Sequence, residues 1–313
     1  MDYEKAFDMV RAGNAGIIAK APALIRGYTS YLTEAQGKMM RAAATLACSM
    51  NEEDKVPQDA VVFASTVETL HLATLIHDDI MDDADLRRGI VTLQKKSGKR
   101  TAVICGDYLL AAALRNLSKV EENDRYKQFD FSSYVERVAL GELRQNINNK
   151  NYRLNVFRYL AIIDGKTAAL FEGAYHAGAL AGGESDERIK LFRRLGRYTG
   201  IIFQLTDDCI DYEVSENKAG KPVQSDYENG VVTMPLIHAF SEDPSLVTDA
   251  ENGTLSKERV LSAVEKHGGV NFTHMMAQSY YAKCCKILDE LHLSGERYKI
   301  LSGLLEKAYR GLK

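Results

Sequence analysis

The sequence predicts an all-α fold. Apolar residues recur at helical spacing through nearly the whole chain, and Ala, Leu, Glu, Lys and Arg are abundant. Alternating Val, Ile and Thr runs, which are typical of strands, are scarce. The pattern predicts helices over 2–12, 15–32, 38–49, 57–83, 98–116, 129–149, 153–163, 166–181, 186–213, 231–240, 256–266, 269–292 and 296–311.

The predicted breaks fall at residues that disfavour a continuing helix. Pro57 suits the first turn of a long helix, Gly165 and Gly182–Gly183 interrupt the periodicity, and 218–230 is a polar loop. The sequence has neither a Pro/Ser-rich linker nor a repeat of fixed period. We therefore expect one all-helical domain over residues 1–313.

Composition limits the classes of function. With 40 Lys+Arg against 43 Asp+Glu, the net charge is −3, which argues against nucleic-acid binding. The five cysteines show no CxxC spacing and predict free thiols in a reducing, cytoplasmic setting. The N-terminal residues lack the apolar core of a signal peptide, and no uninterrupted apolar run predicts a transmembrane segment.

Two aspartate-rich motifs of the form DDxxD close long apolar helices. DDIMD occupies 78–82 and DDCID occupies 207–211, and each precedes a polar loop. Asp78 and Asp82 lie within about 20° of His71 on a helical projection, so the three share one face. A single motif of this kind is as readily a solvated helix end, but two copies in matched helical context favour a shared function. Carboxylates one turn apart suit Mg²⁺, which takes oxygen ligands and bridges to phosphates.

Several separated motifs together resemble the trans-isoprenyl diphosphate synthases (polyprenyl synthetases). HLATLIHDDIMDDADLRRG and FQLTDDCIDY resemble the two aspartate motifs of that family. QGKMMRA, CGDYLL, GELRQ, YLAIIDGKTAALF and GKPVQSDYENGVVTMP extend the likeness in the family's order. The resemblance implies the isoprenoid-synthase fold, an antiparallel helix bundle around a deep central cavity. It also implies Mg²⁺-dependent, head-to-tail condensation of isopentenyl diphosphate with an allylic diphosphate, and a homodimer, with a heteromer as the alternative.

The resemblance assigns roles to individual residues. The catalytic set is Asp78, Asp79, Asp82, Asp207, Asp208, Asp211 and Lys166, with Asp78, Asp82, Asp207 and Asp211 as metal ligands. Isopentenyl diphosphate is expected to bind Lys38, Arg41, His71 and Arg88. The allylic diphosphate is expected to bind Arg87, Lys166, Thr167, Gln204 and Lys221. A solvated surface remains the simpler explanation for any lone Lys/Arg pair, and only the GKxxR context favours binding by Lys38 and Arg41.

This chain departs from the family's pattern at several positions. Met39 stands where a basic residue is usual and Ala42 where proline is usual. Gln224 replaces a common glycine and Val231 a common lysine. These changes remove possible phosphate contacts, and Val231 raises the possibility of a specialised branch of the family.

Product length depends on the apolar wall that precedes Asp78. Short-chain members of the family often carry aromatic residues four or five positions before the motif, where this chain has Thr74 and Ala73. The next residue near the stripe is Val67, and the first aromatic is Phe63, about 22 Å from Asp78 along the helix. We therefore expect a medium or long product, with a short-chain farnesyl or geranylgeranyl diphosphate synthase as the alternative.

Specific residues of the sequence bear on other classes of protein. GKTAAL at 165–170 is not a nucleotide P-loop, because Leu160 occupies the position of the required glycine. His77-Asp78 could begin a metal-dependent phosphohydrolase site, which would require further histidines such as His176 and His238. Terpene cyclases usually carry a different second motif. A non-catalytic prenyl-binding subunit of a heteromeric synthase also remains an alternative.

Overall fold

The computed structural model describes residues 1–33, 37–120, 126, 129–213, 225–293 and 295–309. Its helices are α1 Tyr3–Ala19, α2 Ala23–Thr29, α3 Met40–Cys48, α4 Gln58–Met81, α5 Leu93–Ser97, α6 Lys99–Leu117, α7 Ser132–Ile147, α8 Val156–Ile163, α9 Ala169–Ala181, α10 Asp186–Glu213, α11 Ser225–Glu228, α12 Met234–Glu242, α13 Ser245–Glu251, α14 Lys257–Lys266, α15 Gly269–Leu291 and α16 Gly295–Ala308. A 3₁₀ turn covers Ser30–Thr33, a π-helical turn covers Asp164–Ala168, and strands β1 Leu86–Arg87 and β2 Ile90–Val91 form a hairpin. The all-α prediction is confirmed.

The contacts divide the chain into two compact units, which are described separately. Unit 1 comprises residues within Met1–Asp130 together with Glu172–Arg194 and Leu291–Leu304. Unit 2 comprises Phe131–Phe171, Leu195–Glu290 and the C-terminal residues from Leu305. The first aspartate motif belongs to unit 1 and the second to unit 2. The expectation of one domain over 1–313 stays a prediction.

Helix α4 is the central helix of unit 1. It is apolar on all sides, which is typical of a helix buried in a core, and it packs along α6 through Ala73, Ile76 and Cys105. Its most apolar 18-residue window has a mean hydropathy of 1.3, enough by length and composition to cross a membrane, but 67% of that window is buried. A core helix meets the same criterion, so this is weak evidence for a membrane span.

Unit 2 has its own apolar core. Residues of α12 and α14 pack with the end of α8 and with α10, and the buried members include Ile163, Leu205, Met234, Phe240 and Val264. Helix α12 begins at Met234 with a proline in its first turn, where the missing N–H costs nothing. The predicted start at 231 was therefore three residues early.

Three further differences from the predicted helices have physical causes. Helix α1 runs through Gly13 without a break. A Cβ at this position would lie 2.9 Å from Ser65 Oγ, so the glycine permits a close approach to Ser65 and does not end the helix. The break occurs instead at Pro22. Helix α8 continues through Gly165 as the π-helical turn. The hairpin and α5, α11 and α13 were not predicted, since elements of two to seven residues carry little periodicity.

Candidate active site

The first aspartate motif closes helix α4. Asp78 is half-buried, Asp79 is buried, and Asp82 is the exposed C-cap whose backbone N–H donates to Asp78 O at 2.8 Å. Carboxylates at a helix C-terminus face the negative end of the helix dipole. The last turn of α4 therefore concentrates negative charge that a cation would stabilise.

Asp79 has a protein partner. Arg87 Nε donates to Asp79 Oδ1 at 2.5 Å, and the aspartate side chain is only 7% exposed. Burial raises the pKa of Asp79, and the charge and hydrogen bond of Arg87 oppose that rise. This carboxylate ties the hairpin to α4, while Asp78 and Asp82 are the more accessible members of the motif.

The hairpin presents two successive arginines to different partners. Its two-residue turn consists of Arg88 at φ +52° and Gly89 at φ +77°, the left-handed pair of a type I′ turn. Arg87 reaches Asp79, whereas the Arg88 guanidinium lies against Gly37. A Cβ at Gly37 would lie 2.3 Å from Arg88 Nη1, which explains a glycine before Lys38.

Arg41, His71 and Arg88 form a cationic cluster in unit 1. Burial, followed by the charges of Arg41 and Arg88, lowers the pKa of His71 well below its usual value. Burial also lowers the pKa of Arg41 to about 10, with Glu68 opposing and Arg88 adding to the effect. At neutral pH the cluster thus holds two charged guanidinium groups and a neutral imidazole. Such a set is suited to a diphosphate.

Lys38 is exposed and lies three residues before Arg41 in the sequence. Its role in binding stays a prediction. Lys221 and Gln224 lie outside the described residues.

The second aspartate motif lies near the end of helix α10 in unit 2. Asp208 and Asp211 are buried and Asp207 is half-buried. Tyr159 Oη donates to Asp208 Oδ2 at 2.5 Å, and Gln204 Nε2 donates to Asp208 Oδ1 at 2.7 Å. Burial raises the pKa of Asp208 to about 7, although both hydrogen bonds oppose this shift.

A chain of hydrogen bonds links this motif to the predicted allylic-site residues. Thr167 Oγ1 donates to Gln204 Oε1 at 2.7 Å, so Thr167, Gln204, Asp208 and Tyr159 are connected in series. Thr167 lies in the π-helical turn Asp164–Ala168, a distortion frequent at functional sites. The structure therefore brings together Thr167, Gln204 and Asp208, three residues to which the resemblance assigns roles, and those roles stay a prediction.

Lys166 is held by a neighbouring helix. Its Nζ donates to Glu142 Oε2 on α7 at 3.0 Å, and both side chains are mostly buried. Helix α7 approaches the π-helical turn backbone to backbone, since a Cβ at Gly141 would lie 2.1 Å from Lys166 N. The glycine of GELRQ is thus required by packing.

The donor chemistry of both motifs fits a divalent cation. Each motif offers its first and last aspartates as hard oxygen ligands, while the second aspartate bonds to Arg87 or to Tyr159 and Gln204. Within the described ranges, no group of three His, Cys, Asp or Glu side chains forms a protein-only metal cage. Few protein ligands are typical of Mg²⁺ that completes its shell with water and phosphate.

The phosphohydrolase alternative receives no support from the histidines. His77 Nε2 lies 3.3 Å from Asp107 Oδ1 and packs on Gly106, which are contacts to neighbouring protein residues. The His176 ring meets Phe129 edge-on at 4.8 Å, and His238 stacks on Phe272 at 4.2 Å. Across the part of the chain that the structure describes, these rings do not form a metal-ligand set.

The predicted product-length residues differ in environment. Ala73 is buried in the cluster with Leu93 and Cys105, whereas Thr74 lies on a half-buried face. Val67 is fully buried, and Phe63 packs edge-on against Tyr126 and Phe129. Thr74 is therefore the more accessible of the two small residues near the motif.

Sequence reasoning missed three residues of the site: Glu68, Glu142 and Tyr159. Glu68 carried a weak signal, because it is an acid within an apolar helix one turn before His71. Glu142 and Tyr159 lie within the quoted stretches GELRQ and YLAIIDGKTAALF, but nothing in those stretches indicates their partners, which are 24 and 49 positions away.

The fold and the two motifs define an enzyme that handles diphosphates, and comparison with known proteins identifies its family. The polyprenyl synthetase family model matches residues 22–266, so the chain belongs to that family and is a prenyltransferase. Component 2 of heptaprenyl diphosphate synthase from Geobacillus stearothermophilus is 33% identical, with 85% of this chain and 84% of that protein covered.

Solved structures agree with this assignment. Heptaprenyl diphosphate synthase from Staphylococcus aureus has a TM-score of 0.90 and 27% identity, covering 99% of this chain and 98% of that one. Polyprenyl synthase from Caulobacter crescentus, complexed with calcium and isoprenyl diphosphate, has a TM-score of 0.87 and 26% identity, covering 98% and 94%. Other matched proteins are octaprenyl, nonaprenyl and geranylgeranyl diphosphate synthases. The predicted family, fold and activity class are confirmed.

Proposed function

We propose that this prenyl diphosphate synthase is Mg²⁺-dependent and makes a medium or long trans-polyprenyl diphosphate. The observation that carries the proposal is the matched construction of the two DDxxD motifs. In each, the first and last aspartates stand four residues apart, about one helical turn, a spacing at which two carboxylates can share one cation, and protein donors orient the second aspartate. The family membership, and the calcium in the Caulobacter relative, support a divalent metal.

The residues divide into two substrate sites and a metal site. Asp78, Asp82, Asp207 and Asp211 would hold Mg²⁺, which when bound supplies positive charge to the leaving diphosphate. Lys166, Thr167, Gln204 and Arg87, with Lys221, would bind and orient the allylic diphosphate. Arg41, His71 and Arg88, with Lys38, would bind isopentenyl diphosphate.

Positioning and electrostatics then account for the chemistry. The allylic C1–O bond breaks and releases diphosphate, the double bond of isopentenyl diphosphate forms the new C–C bond at C1, and the departing diphosphate accepts the proton whose loss regenerates an alkene. Guanidinium and ammonium groups that face both diphosphates lower the barrier by holding the carbon atoms together and stabilising the departing charge. The buried thiols of Cys48, Cys105, Cys209 and Cys284 have raised pKa values and are poor nucleophiles.

We also propose a cytoplasmic homodimer. All five cysteines are unpaired, as a reducing compartment favours. Helix α7 exposes Leu140, Leu143 and Ile147 on one face, at 45%, 56% and 69% exposure. Such a stripe is typical of an association surface. Light scattering on the purified chain tests this. The mass of two chains would support the homodimer, and the mass of one chain would favour the heteromeric alternative.

One assay tests the function and its alternatives. Purified protein is incubated with isopentenyl diphosphate, Mg²⁺ and a panel of allylic primers, and the products are sized by mass spectrometry. We expect chains longer than geranylgeranyl diphosphate. Products that stop at farnesyl or geranylgeranyl diphosphate would favour the short-chain alternative. Calorimetric binding of an allylic diphosphate without turnover would favour the non-catalytic subunit.

A further inference from the structure

Helix α3, which carries Arg41, begins without a side-chain cap of its own. Its N-cap residue is Met39, which adopts a left-handed conformation at φ +48° and makes no side-chain capping bond. The first backbone N–H groups of a helix have no partner within the helix. Glu68 on α4 is the acceptor for two of these N–H groups. Ala42 N–H donates to Glu68 Oε1 at 2.9 Å, and the Arg41 N–H also donates to Glu68.

One of the two bonds to Glu68 depends on a departure of this chain from the family pattern. Ala42 stands where the resembling family usually has proline. Proline has no N–H and could not donate to Glu68. The alanine therefore adds one of the two backbone hydrogen bonds that join the start of α3 to Glu68 on α4.

Glu68 also lies beside the cationic cluster. Its negative charge opposes the lowering of the pKa of Arg41 and of Arg88, while Arg88 itself lowers the pKa of Arg41. Burial raises the pKa of Glu68, and the Ala42 N–H and the charge of Arg41 oppose that rise. The carboxylate thus offsets the repulsion that two neighbouring guanidinium groups would otherwise exert on each other.

We propose that Glu68 is a positioning residue of the isopentenyl diphosphate site. It fixes the first turn of α3 and the Arg41 guanidinium before substrate arrives, so that less conformational freedom is lost on binding. The inference rests on the proposed function, because it takes Arg41 and Arg88 to be the ligands of that diphosphate.

Glu68→Gln is the first test. The amide keeps the size and the oxygen acceptor for Ala42 N–H but removes the charge. We expect the KM for isopentenyl diphosphate to rise about tenfold, with the KM for the allylic diphosphate and kcat at saturation changed less than twofold. An unchanged or lowered KM for isopentenyl diphosphate would overturn the proposal.

Glu184→Gln is the matched control. Glu184 Oε1 accepts from Arg297 Nη1 at 2.6 Å, and Arg297 Nε donates to Ala47 O at 3.1 Å at the other end of α3. That end is about 12 Å from Met40 along the helix. The control makes the same substitution in a Glu–Arg pair of the same unit, and its KM for isopentenyl diphosphate should not change. An equal rise in both variants would show general loosening of α3 and refute the proposal.

Two further measurements separate the possible failures. If Glu68→Gln does not fold, Glu68→Asp replaces it as the test. The aspartate keeps the negative charge, but its side chain is one methylene shorter, so the carboxylate lies farther from Arg41 and the Ala42 N–H. An intermediate rise in KM supports the proposal, and no rise refutes it. If the wild-type protein does not elongate isopentenyl diphosphate, the proposed function fails. Calorimetry with inorganic diphosphate then decides on Glu68: weaker binding by Glu68→Gln supports its role, and equal binding overturns it.

Discussion

Tyr159 and Asp208 form a buried hydrogen bond of 2.5 Å between the middle of helix α8 and the second aspartate motif on α10. The bond is the last link of the series that starts at Thr167 in the π-helical turn. It orients the second aspartate of the motif and, through Gln204, the threonine next to Lys166. A residue to which no role was assigned from the sequence thereby fixes the positions of two residues that were assigned one.

Removing this phenol should impair catalysis. In Tyr159→Phe, Asp208 keeps only the Gln204 donor, and the loss of one hydrogen bond to a buried charged group costs about 1.5 kcal/mol. We expect kcat/KM for the allylic diphosphate to fall about tenfold in steady-state assays. Tyr126→Phe is the control, because its hydroxyl donates to Asp59 at 2.9 Å in unit 1. A similar fall in both variants would contradict the assignment.

Asp208 should make stability depend on pH. Its pKa is raised from 3.8 to about 7, so the folded chain binds this proton more tightly than the unfolded chain. Stability contributed by this group therefore falls as pH rises from about 4 to 7, by at most about 1.4 kcal/mol per pH unit. Asp208→Asn stays neutral, so its free energy of unfolding relative to wild type should increase across this window. Urea unfolding of both proteins with EDTA at pH 5 and pH 7.5 measures the difference in their free energies of unfolding. The same difference at both pH values would contradict the prediction.

The Asp79–Arg87 pair should be stabilising only when complete. Arg87→Met leaves a buried carboxylate without its cation, and we expect a loss of about 2–3 kcal/mol, since Arg87 is itself 34% exposed. Adding Asp79→Asn should restore much of this stability. Chemical denaturation of both single variants and the double variant gives the coupling energy, and purely additive effects would show that the pair is not coupled.

Thr74 should control product length more cleanly than Ala73. Thr74→Phe adds a ring on the half-buried face of α4 and should shorten the main product by one or more isoprene units. Ala73→Phe must displace the packed cluster around Leu93 and Cys105, which should cost about 1–3 kcal/mol. Product sizing and thermal melting distinguish the two effects. If Thr74→Phe leaves chain length unchanged, Thr74 does not border the growing chain.

Gly141 should tolerate no side chain. Gly141→Ala would place a Cβ 2.1 Å from Lys166 N, so α7 or the π-helical turn must move. We expect a loss of at least about 2 kcal/mol in unfolding free energy and a raised KM for the allylic diphosphate. Gly303→Ala in α16, where a Cβ meets nothing within 4 Å, should instead stabilise the chain by about 0.5–1 kcal/mol. Equal behaviour of the two variants would contradict the packing argument.

The long helices and both acidic motifs could be predicted because their signals are local. The predicted span 186–213 of α10 agrees with the structure, as does the predicted stripe that carries Asp78 near the end of α4. The break predicted after residue 12 was wrong, because the close approach of Gly13 to Ser65 depends on another helix. Tyr159, Glu142 and Glu68 act through tertiary contacts, which neither spacing nor composition encodes. Whether the two motifs converge on shared cations stays a prediction.

The Arg88–Gly89 turn has a consequence for how this segment can evolve. Arg87 is the last residue of β1 and reaches Asp79, whereas Arg88 is the first residue of the turn, and its left-handed conformation directs it toward Gly37. Inserting or deleting a single residue here would change the turn type and the pairing register of the two strands, so that the arginines would no longer reach these partners. Homologous chains should therefore vary the identity of the residues around this turn far more freely than its length.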